Sequence, residues 1–312
     1  MAGIDCGTNS IRLLVADVED GRLVQLDRRM EVVRLGQGVD RTGRIAPEAL
    51  ARTLTAARRY ADVCADLGAE RIRFVATSAT RDAQNRDEFV SGVRDALGVT
   101  PEVVDGAEEA ALSFRGATSV LAGRHPGPFL VVDIGGGSTE LVLGTTSVVA
   151  SVSMDVGCVR LTERHLHSDP PTPDEVAAAS ADVVAHLDAA VREVPLGRAA
   201  TLVGLAGSVT TVTAHALDLD EYDPHAIDGA VLPTDRVLAS CRALLEMTRA
   251  KRGRLPFMHP GRVDVIGAGA LVWSDVVSRV RAEVGRAGGA LRSVVTSEHD
   301  ILDGITLSAA ER

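Results

Sequence analysis

A nine-residue pattern occurs twice in this chain of 312 residues, and it limits the fold more than any other feature of the sequence. Residues 5–13 read DCGTNSIRL and residues 133–141 read DIGGGSTEL, so both copies follow D-x-G-x-x-S-x-x-L. In each copy, apolar segments flank a turn of glycine and small polar residues, which is typical of a β-hairpin. The copies begin 128 residues apart, about the length of one domain. We therefore expect two domains of the same construction.

Apolar runs bounded by glycine alternate with helical patterns along the chain. The runs predict strands at 3–4, 11–18, 72–77, 101–104, 129–134 and 139–144, and the helical patterns predict helices around 47–67, 86–97 and 107–121. A further helix begins at Thr172, because Thr172, Pro173 and Glu175 supply an N-cap, a first-turn proline and a capping box. This alternation indicates an α/β architecture. The breaker-rich segment 123–128 is the predicted domain junction.

Charge and composition exclude several classes of protein. The formal net charge of -10 argues against general binding to DNA or to a membrane surface. Lys251 is the only lysine, so a Walker-A nucleotide loop cannot be built beside either glycine turn. The four cysteines are far apart and no apolar run approaches the roughly 20 residues that span a bilayer, so we expect a reduced, cytoplasmic protein.

The two turns have the chemistry of phosphate sites. Consecutive backbone N–H groups in a glycine-rich turn bind anions without needing a cation. An aspartate ends the strand before each turn, Asp5 in one copy and Asp133 in the other, and can hold hydrated Mg²⁺ that bridges to phosphate oxygens. The alternative is a pair of ordinary hairpins whose glycines serve only the turns. Matched aspartate, glycine and serine in two copies favour the phosphate site.

Seven segments resemble, in order, the motifs of the exopolyphosphatase and guanosine pentaphosphate phosphohydrolase (Ppx/GppA) family: residues 3–13, 75–85, 106–110, 132–141, 157–163, 204–211 and 260–266. The chain is similar to the short, two-domain form. The resemblance implies two ribonuclease-H-like domains of the actin, Hsp70 and sugar-kinase superfamily, facing each other across an active-site cleft. It places the domains at 1–124 and 125–297, with a helix at about 298–312 packing back on the first.

The resemblance also implies the roles of individual residues. Glu109 would be the general base that activates water, although acids in a first helical turn are also ordinary partners of the helix dipole. Arg81 would bind the phosphate that is removed, and an exposed, solvated arginine is the alternative. Gly207 and Ser208 would touch a nucleotide or close the cleft, unless Ser208 only caps a helix. The remaining implied residues are the phosphate-binding Gly7, Thr8, Asn9, Ser10, Gly135, Gly136, Gly137 and Ser138, and the metal-binding Asp133, Glu140 and Asp5.

The implied activity is Mg²⁺-dependent release of terminal orthophosphate from polyphosphate, with a preference for short chains. Guanosine pentaphosphate (pppGpp) ends in the same anhydride and is the alternative substrate. More distant alternatives are an ATP-dependent small-molecule kinase and an alarmone-binding regulator. Dependence on a monovalent cation such as K⁺ and a homodimeric state are further implications of the family, and neither DNA nor a membrane is an expected partner.

Overall fold

The computed structural model describes residues 1–19 and 21–311 and divides into two compact units. Unit 1 comprises Met1–Ser119 together with the segment that starts at Asp300, and unit 2 comprises Val120–His299. The breaker-rich segment at 123–128 lies just inside unit 2.

Unit 1 contains, in chain order, β1 (Ala2–Cys6), β2 (Ser10–Glu19), β3 (Arg22–Val32), α1 (Val39–Thr42), α2 (Pro47–Asp66), β4 (Ile72–Ala76), α3 (Ser78–Asp82), α4 (Arg86–Leu97), β5 (Glu102–Val103) and α5 (Gly106–Leu121), in whose last turn the division falls. Its sheet has the order β3-β2-β1-β4-β5. The first three strands are antiparallel neighbours, while β4 and β5 run parallel to β1. This is the ribonuclease-H-like arrangement.

Unit 2 contains β6 (Phe129–Ile134), β7 (Thr139–Gly144), β8 (Val148–Met154), α6 (Cys158–His165), α7 (Pro173–Glu193), β9 (Thr201–Leu205), α8 (Ala206–Leu217), α9 (Pro224–Ile227), β10 (Val231–Pro233), α10 (Thr234–Glu246), α11 (Arg249–Arg252), α12 (Ile266–Arg286) and β11 (Ser293–Thr296). Within its sheet, β8-β7-β6-β9-β11 repeats the strand order and directions of unit 1, and β10 is added at the edge. The predicted α/β class with two ribonuclease-H-like folds is confirmed.

A final helix, α13 (Ile301–Ala309), belongs to unit 1 and packs on its sheet. The contact is close, because a Cβ atom on Gly3 of β1 would lie 2.2 Å from Oγ1 of Thr306 and only glycine fits there. Its apolar contacts form two buried clusters. Ile301 and Ile305 pack with Val75, Val104 and Leu112, and Leu302 packs with Leu14 and Ala16 of β2.

The local predictions had mixed outcomes. The capping box at Thr172 is confirmed, since its hydroxyl accepts from the Glu175 amide and the Glu175 carboxylate accepts from the Thr172 amide. After the predicted strand at 72–77, a short helix that was not predicted, α3, begins at Ser78. The predictions missed β9, β10 and β11, and also β3 and β8, whose residues are almost all exposed or half-buried.

Candidate active site

The first glycine turn joins β1 to β2 and contains Gly7, Thr8 and Asn9. A hydrogen bond of 2.9 Å from the Gly7 amide to the Ser10 carbonyl closes the turn, so this amide is already used. The Thr8 carbonyl accepts from the Gly36 amide at 2.8 Å, and the Asn9 carbonyl accepts from two amides of the same segment at 3.1 and 2.8 Å. Because the carbonyls are bound to the segment after β3, the amides of Thr8 and Asn9 are the groups of this turn that can donate to an anion.

The second turn, residues 135–138, is built in the same way. Its Gly135 amide donates to the Ser138 carbonyl at 3.0 Å. The carbonyls of Gly135 and Gly136 accept from the first three amides of α6, at 3.0, 2.8 and 3.1 Å. The start of α6 therefore fixes the carbonyl side of this turn, and the amides of Gly136 and Gly137 are its candidate anion donors.

Two glycines that sequence reasoning gave no role hold these turns in place. A Cβ atom on Gly157, just before α6, would lie 2.5 Å from the carbonyl carbon and oxygen of Gly136. A Cβ atom on Gly36 would lie 2.3 Å from Cγ2 of Thr8. Each glycine follows the third strand of its unit, so the internal repeat extends beyond the nine matched residues. Sequence reasoning missed them because it predicted neither β3 nor β8, the strands that these glycines follow.

The units differ at the position opposite the strand-end aspartate. In unit 1 Asp5 lies opposite Arg12, whereas in unit 2 Asp133 lies opposite Glu140. These residues occupy equivalent places in the repeat, so one copy presents an acid beside a base and the other presents two acids. Two neighbouring carboxylates bind a divalent cation, whereas an arginine beside a carboxylate supplies the positive charge itself.

Arg12 neutralises two buried carboxylates of unit 1, those of Asp5 and Asp300. Its Nε and Nη2 donate to Oδ2 of Asp5 at 2.9 and 2.6 Å, and its Nη1 donates to Asp300. Both carboxylates are almost fully buried. Burial raises the pKa of Asp5, and the adjacent guanidinium of Arg12 acts in the opposite direction. The role of Asp5 in metal binding remains a prediction, and its engagement with Arg12 argues against it.

The donor set of unit 2 fits Mg²⁺. Asp133 and Glu140 are 6% and 1% exposed, and the hydroxyl of Ser153 donates to Oε1 of Glu140 at 2.7 Å. Over the described residues, no group of three or more His, Cys, Asp or Glu side chains is placed to enclose a metal. Mg²⁺ is commonly held by one or two carboxylates together with substrate phosphates and water, so a pair of acids beside an anion-binding turn suffices.

Helix α3 links the first turn to the predicted catalytic pair within unit 1. At its start, the hydroxyls of Ser78 and Thr8 form a buried hydrogen bond of 2.9 Å. At its end, Nη1 of Arg81 donates to the Val104 carbonyl at 2.9 Å and to Oε2 of Glu109 at 3.0 Å. The structure thus brings together Arg81 and Glu109, two residues that were predicted from separate segments.

The structure also separates the two neighbouring glutamates. Both lie in the first turn of α5, but Glu108 is half-exposed and pairs with Arg73 at 2.5 Å. Glu109 is 7% exposed and pairs with Arg81. A buried carboxylate beside an arginine is an environment in which a pKa is commonly perturbed, and the role of Glu109 as the general base stays a prediction.

The structure places Gly207 and Ser208 inside α8, so the interpretation of Ser208 as an N-cap is wrong. Arg262 covers Gly207, where a Cβ atom would lie 2.2 Å from the guanidinium carbon. Its Nη1 donates to the Gly207 carbonyl at 3.2 Å. The Ser208 side chain is buried against Gly269, where a Cβ atom would lie 2.2 Å from its Oγ. A contact between these residues and a nucleotide stays a prediction.

In the part of the chain that the structure describes, no helix is both long and apolar enough to cross a membrane.

The model of the Ppx/GppA phosphatase family matches residues 14–299. Exopolyphosphatase 2 of Mycobacterium tuberculosis is 53% identical over 99% of this chain and 98% of its own length. The crystal structure of an exopolyphosphatase-like protein has a TM-score of 0.96 at 50% identity, covering 100% of this chain and 98% of that one. The Ppx/GppA enzyme of Aquifex aeolicus has a TM-score of 0.79 at 29% identity, covering 98% of each chain. The chain belongs to the Ppx/GppA phosphatase family.

Proposed function

We propose that this protein is an exopolyphosphatase that releases terminal orthophosphate from polyphosphate by Mg²⁺-dependent hydrolysis. The name of the Mycobacterium tuberculosis relative and the family match both support hydrolysis of a phosphoanhydride. The family generally uses divalent metal ions, and Mg²⁺ is the ion that the oxygen donors of unit 2 fit.

The observation that carries the proposal is the pair of carboxylates, Asp133 and Glu140, beside the second glycine turn. The metal would bind there and neutralise charge on the phosphates. The amides of residues 136–137 would donate to phosphate oxygens, because the turn carbonyls are already bound to α6. Loss of either carboxylate should therefore abolish both metal binding and turnover.

The residues of unit 1 supply the remaining chemistry. The amides of Thr8 and Asn9 bind phosphate oxygens, and Arg81 binds the phosphate that is removed through its planar guanidinium. Glu109 accepts a proton from the attacking water as the water adds to the terminal phosphorus and the bridging oxygen leaves. Before substrate arrives, Arg81 holds the Glu109 carboxylate through the 3.0 Å contact. The arginine thus orients the base as well as the phosphate.

A phosphate-release assay tests this proposal with short polyphosphate, long polyphosphate, pppGpp and ATP as separate substrates, each with Mg²⁺ and with excess EDTA. We expect Mg²⁺-dependent release from polyphosphate, fastest with short chains. Release from pppGpp alone would replace polyphosphate by the nucleotide as substrate. Release from none of the first three would refute the proposal, and ATP-dependent phosphorylation of an added acceptor would point to a kinase.

Further features of the protein follow from the same proposal. We assign the two domains to unit 1 and unit 2 and place the enzyme in the cytoplasm, since the four cysteines are unpaired and buried. A homodimer and dependence on K⁺ are tested by light scattering and by replacing K⁺ with a large organic cation in the assay.

A further inference from the structure

In each unit the first three strands form an antiparallel meander, and a row of three paired residues crosses it from the strand-end aspartate. In unit 1 the row is Asp5 on β1, Arg12 on β2 and Met30 on β3. In unit 2 the row is Asp133 on β6, Glu140 on β7 and Ser153 on β8. The unit with two acids therefore has a hydroxyl in the third place, and the unit whose acid is paired with arginine has a thioether.

Ser153 contacts Glu140 directly. Its Oγ donates to Oε1 of Glu140 at 2.7 Å, a short and well-formed hydrogen bond. Glu140 is 1% exposed, so water has little access to orient its carboxylate. A hydroxyl proton fixed on one carboxylate oxygen restricts rotation about the last side-chain bond.

We propose that Ser153 is a positioning residue that holds the Glu140 carboxylate in the orientation in which it binds the divalent metal. This inference rests on the proposed function. Partners that hold metal-ligating carboxylates set metal affinity, and their loss typically weakens it about 10- to 100-fold. Ser153 is absent from the residues implied by the family resemblance, and it lies on a strand that was not predicted.

The competing explanation is that Ser153 only satisfies a buried carboxylate. In that case its removal would lower the stability of the protein and leave the affinity for metal unchanged. A positioning role predicts instead that removing Ser153 weakens the affinity for metal, whether or not the stability of the protein changes. Metal binding therefore has to be measured directly, beside thermal unfolding.

The test uses the full chain and the substitution Ser153→Ala. Ser151→Ala is the matched control, because Ser151 lies on the same strand and the same face but opposite Val142. Ser153→Thr retains the hydroxyl and should restore wild-type behaviour. Binding of Mn²⁺, as a spectroscopic substitute for Mg²⁺, is measured by electron paramagnetic resonance with orthophosphate present, and the Mg²⁺ concentration for half-maximal phosphate release is measured in parallel.

We expect Ser153→Ala to weaken Mn²⁺ binding and to raise the half-maximal Mg²⁺ concentration by about 10-fold or more, while both controls match the wild type. Unchanged Mn²⁺ affinity in Ser153→Ala, with an active wild type, would overturn the inference alone. A wild type that neither binds Mn²⁺ nor releases phosphate would overturn the proposed function with it. If Ser153→Ala does not fold, Ser153→Cys, which offers a weaker donor in the same place, gives the same comparison.

Discussion

The contact between Gly157 and the second glycine turn leads to a specific prediction for Gly157→Ala. The new Cβ atom would lie 2.5 Å from the carbonyl carbon and oxygen of Gly136 and 2.7 Å from the nitrogen of Gly137. Gly157 has φ of −155°, an extended conformation that alanine also adopts, so the effect is purely steric. Backbone atoms cannot rotate away as a side chain can, so the turn and the start of α6 must separate by about 1 Å to reach normal contact.

A displacement of about 1 Å in a group that binds the reacting phosphate can reduce the rate about 100-fold. We therefore expect kcat/KM for phosphate release to fall about 100-fold in Gly157→Ala. Overpacking of this kind also costs about 1–3 kcal/mol of stability, so the variant should still fold. The assay is steady-state phosphate release on the preferred substrate, with the free energy of unfolding measured by urea denaturation.

Two matched variants show whether the contact is responsible. Gly285→Ala adds a methyl group in the last turn of α12 where, apart from the local helix backbone, no atom lies within 4 Å, so it should keep full activity. In Gly36→Ala the atoms nearest the methyl group are side-chain atoms of Thr8 and Ala79, not backbone atoms of the turn, so the loss should be smaller than for Gly157→Ala. Wild-type kcat/KM in a folded Gly157→Ala protein would refute the idea that α6 fixes the turn.

Three further predictions concern other parts of the molecule. Glu109→Gln should abolish turnover while retaining orthophosphate binding, measured by calorimetry, and persistent phosphate release would show that the base lies elsewhere. Arg12→Met should lower the free energy of unfolding in urea by about 3–5 kcal/mol, because it leaves the buried carboxylates of Asp5 and Asp300 without their cation; a loss below about 1 kcal/mol would contradict this. Burial raises the pKa of Asp275 to about 6, and the hydrogen bond from Ser180 opposes this shift. The folded state therefore favours the protonated carboxyl group, so the stability of the protein falls as pH rises from about 4 to about 6. Asp275→Asn should therefore raise the free energy of unfolding at pH 7.5 by at most about 3 kcal/mol and leave it nearly unchanged at pH 4, and an equal effect at both values would exclude this cause.

The sequence predicts the features that depend on local pattern. The two hairpins and their turns are predictable because a strand, a glycine turn and a second strand are adjacent in the chain. The α/β class follows from the alternation of apolar runs with helical patterns. The pairing of each aspartate with the residue opposite it follows from the hairpin register, once the repeat is recognised.

The remaining features depend on contacts between distant segments. Arg12 and Asp300 are separated by 288 positions, and no local pattern relates them. Ser153 lies on β8, a strand that was not predicted, and its contact with Glu140 joins two different strands. The role of Gly157 depends on how closely its backbone approaches Gly136 in three dimensions, and this distance cannot be inferred from the sequence.

The return of α13 to unit 1 has a consequence for synthesis of the chain. Residues 1–119 leave the ribosome first, yet Arg12 and Arg28 find their carboxylate partners, Asp300 and Asp303, only after unit 2 has been made. Two buried isoleucines of the unit 1 core also come from α13. Domains usually fold in the order in which they are synthesised. Here all the strands of unit 2 are synthesised before α13, the last helix of unit 1. We therefore expect unit 1 to reach its native state after unit 2.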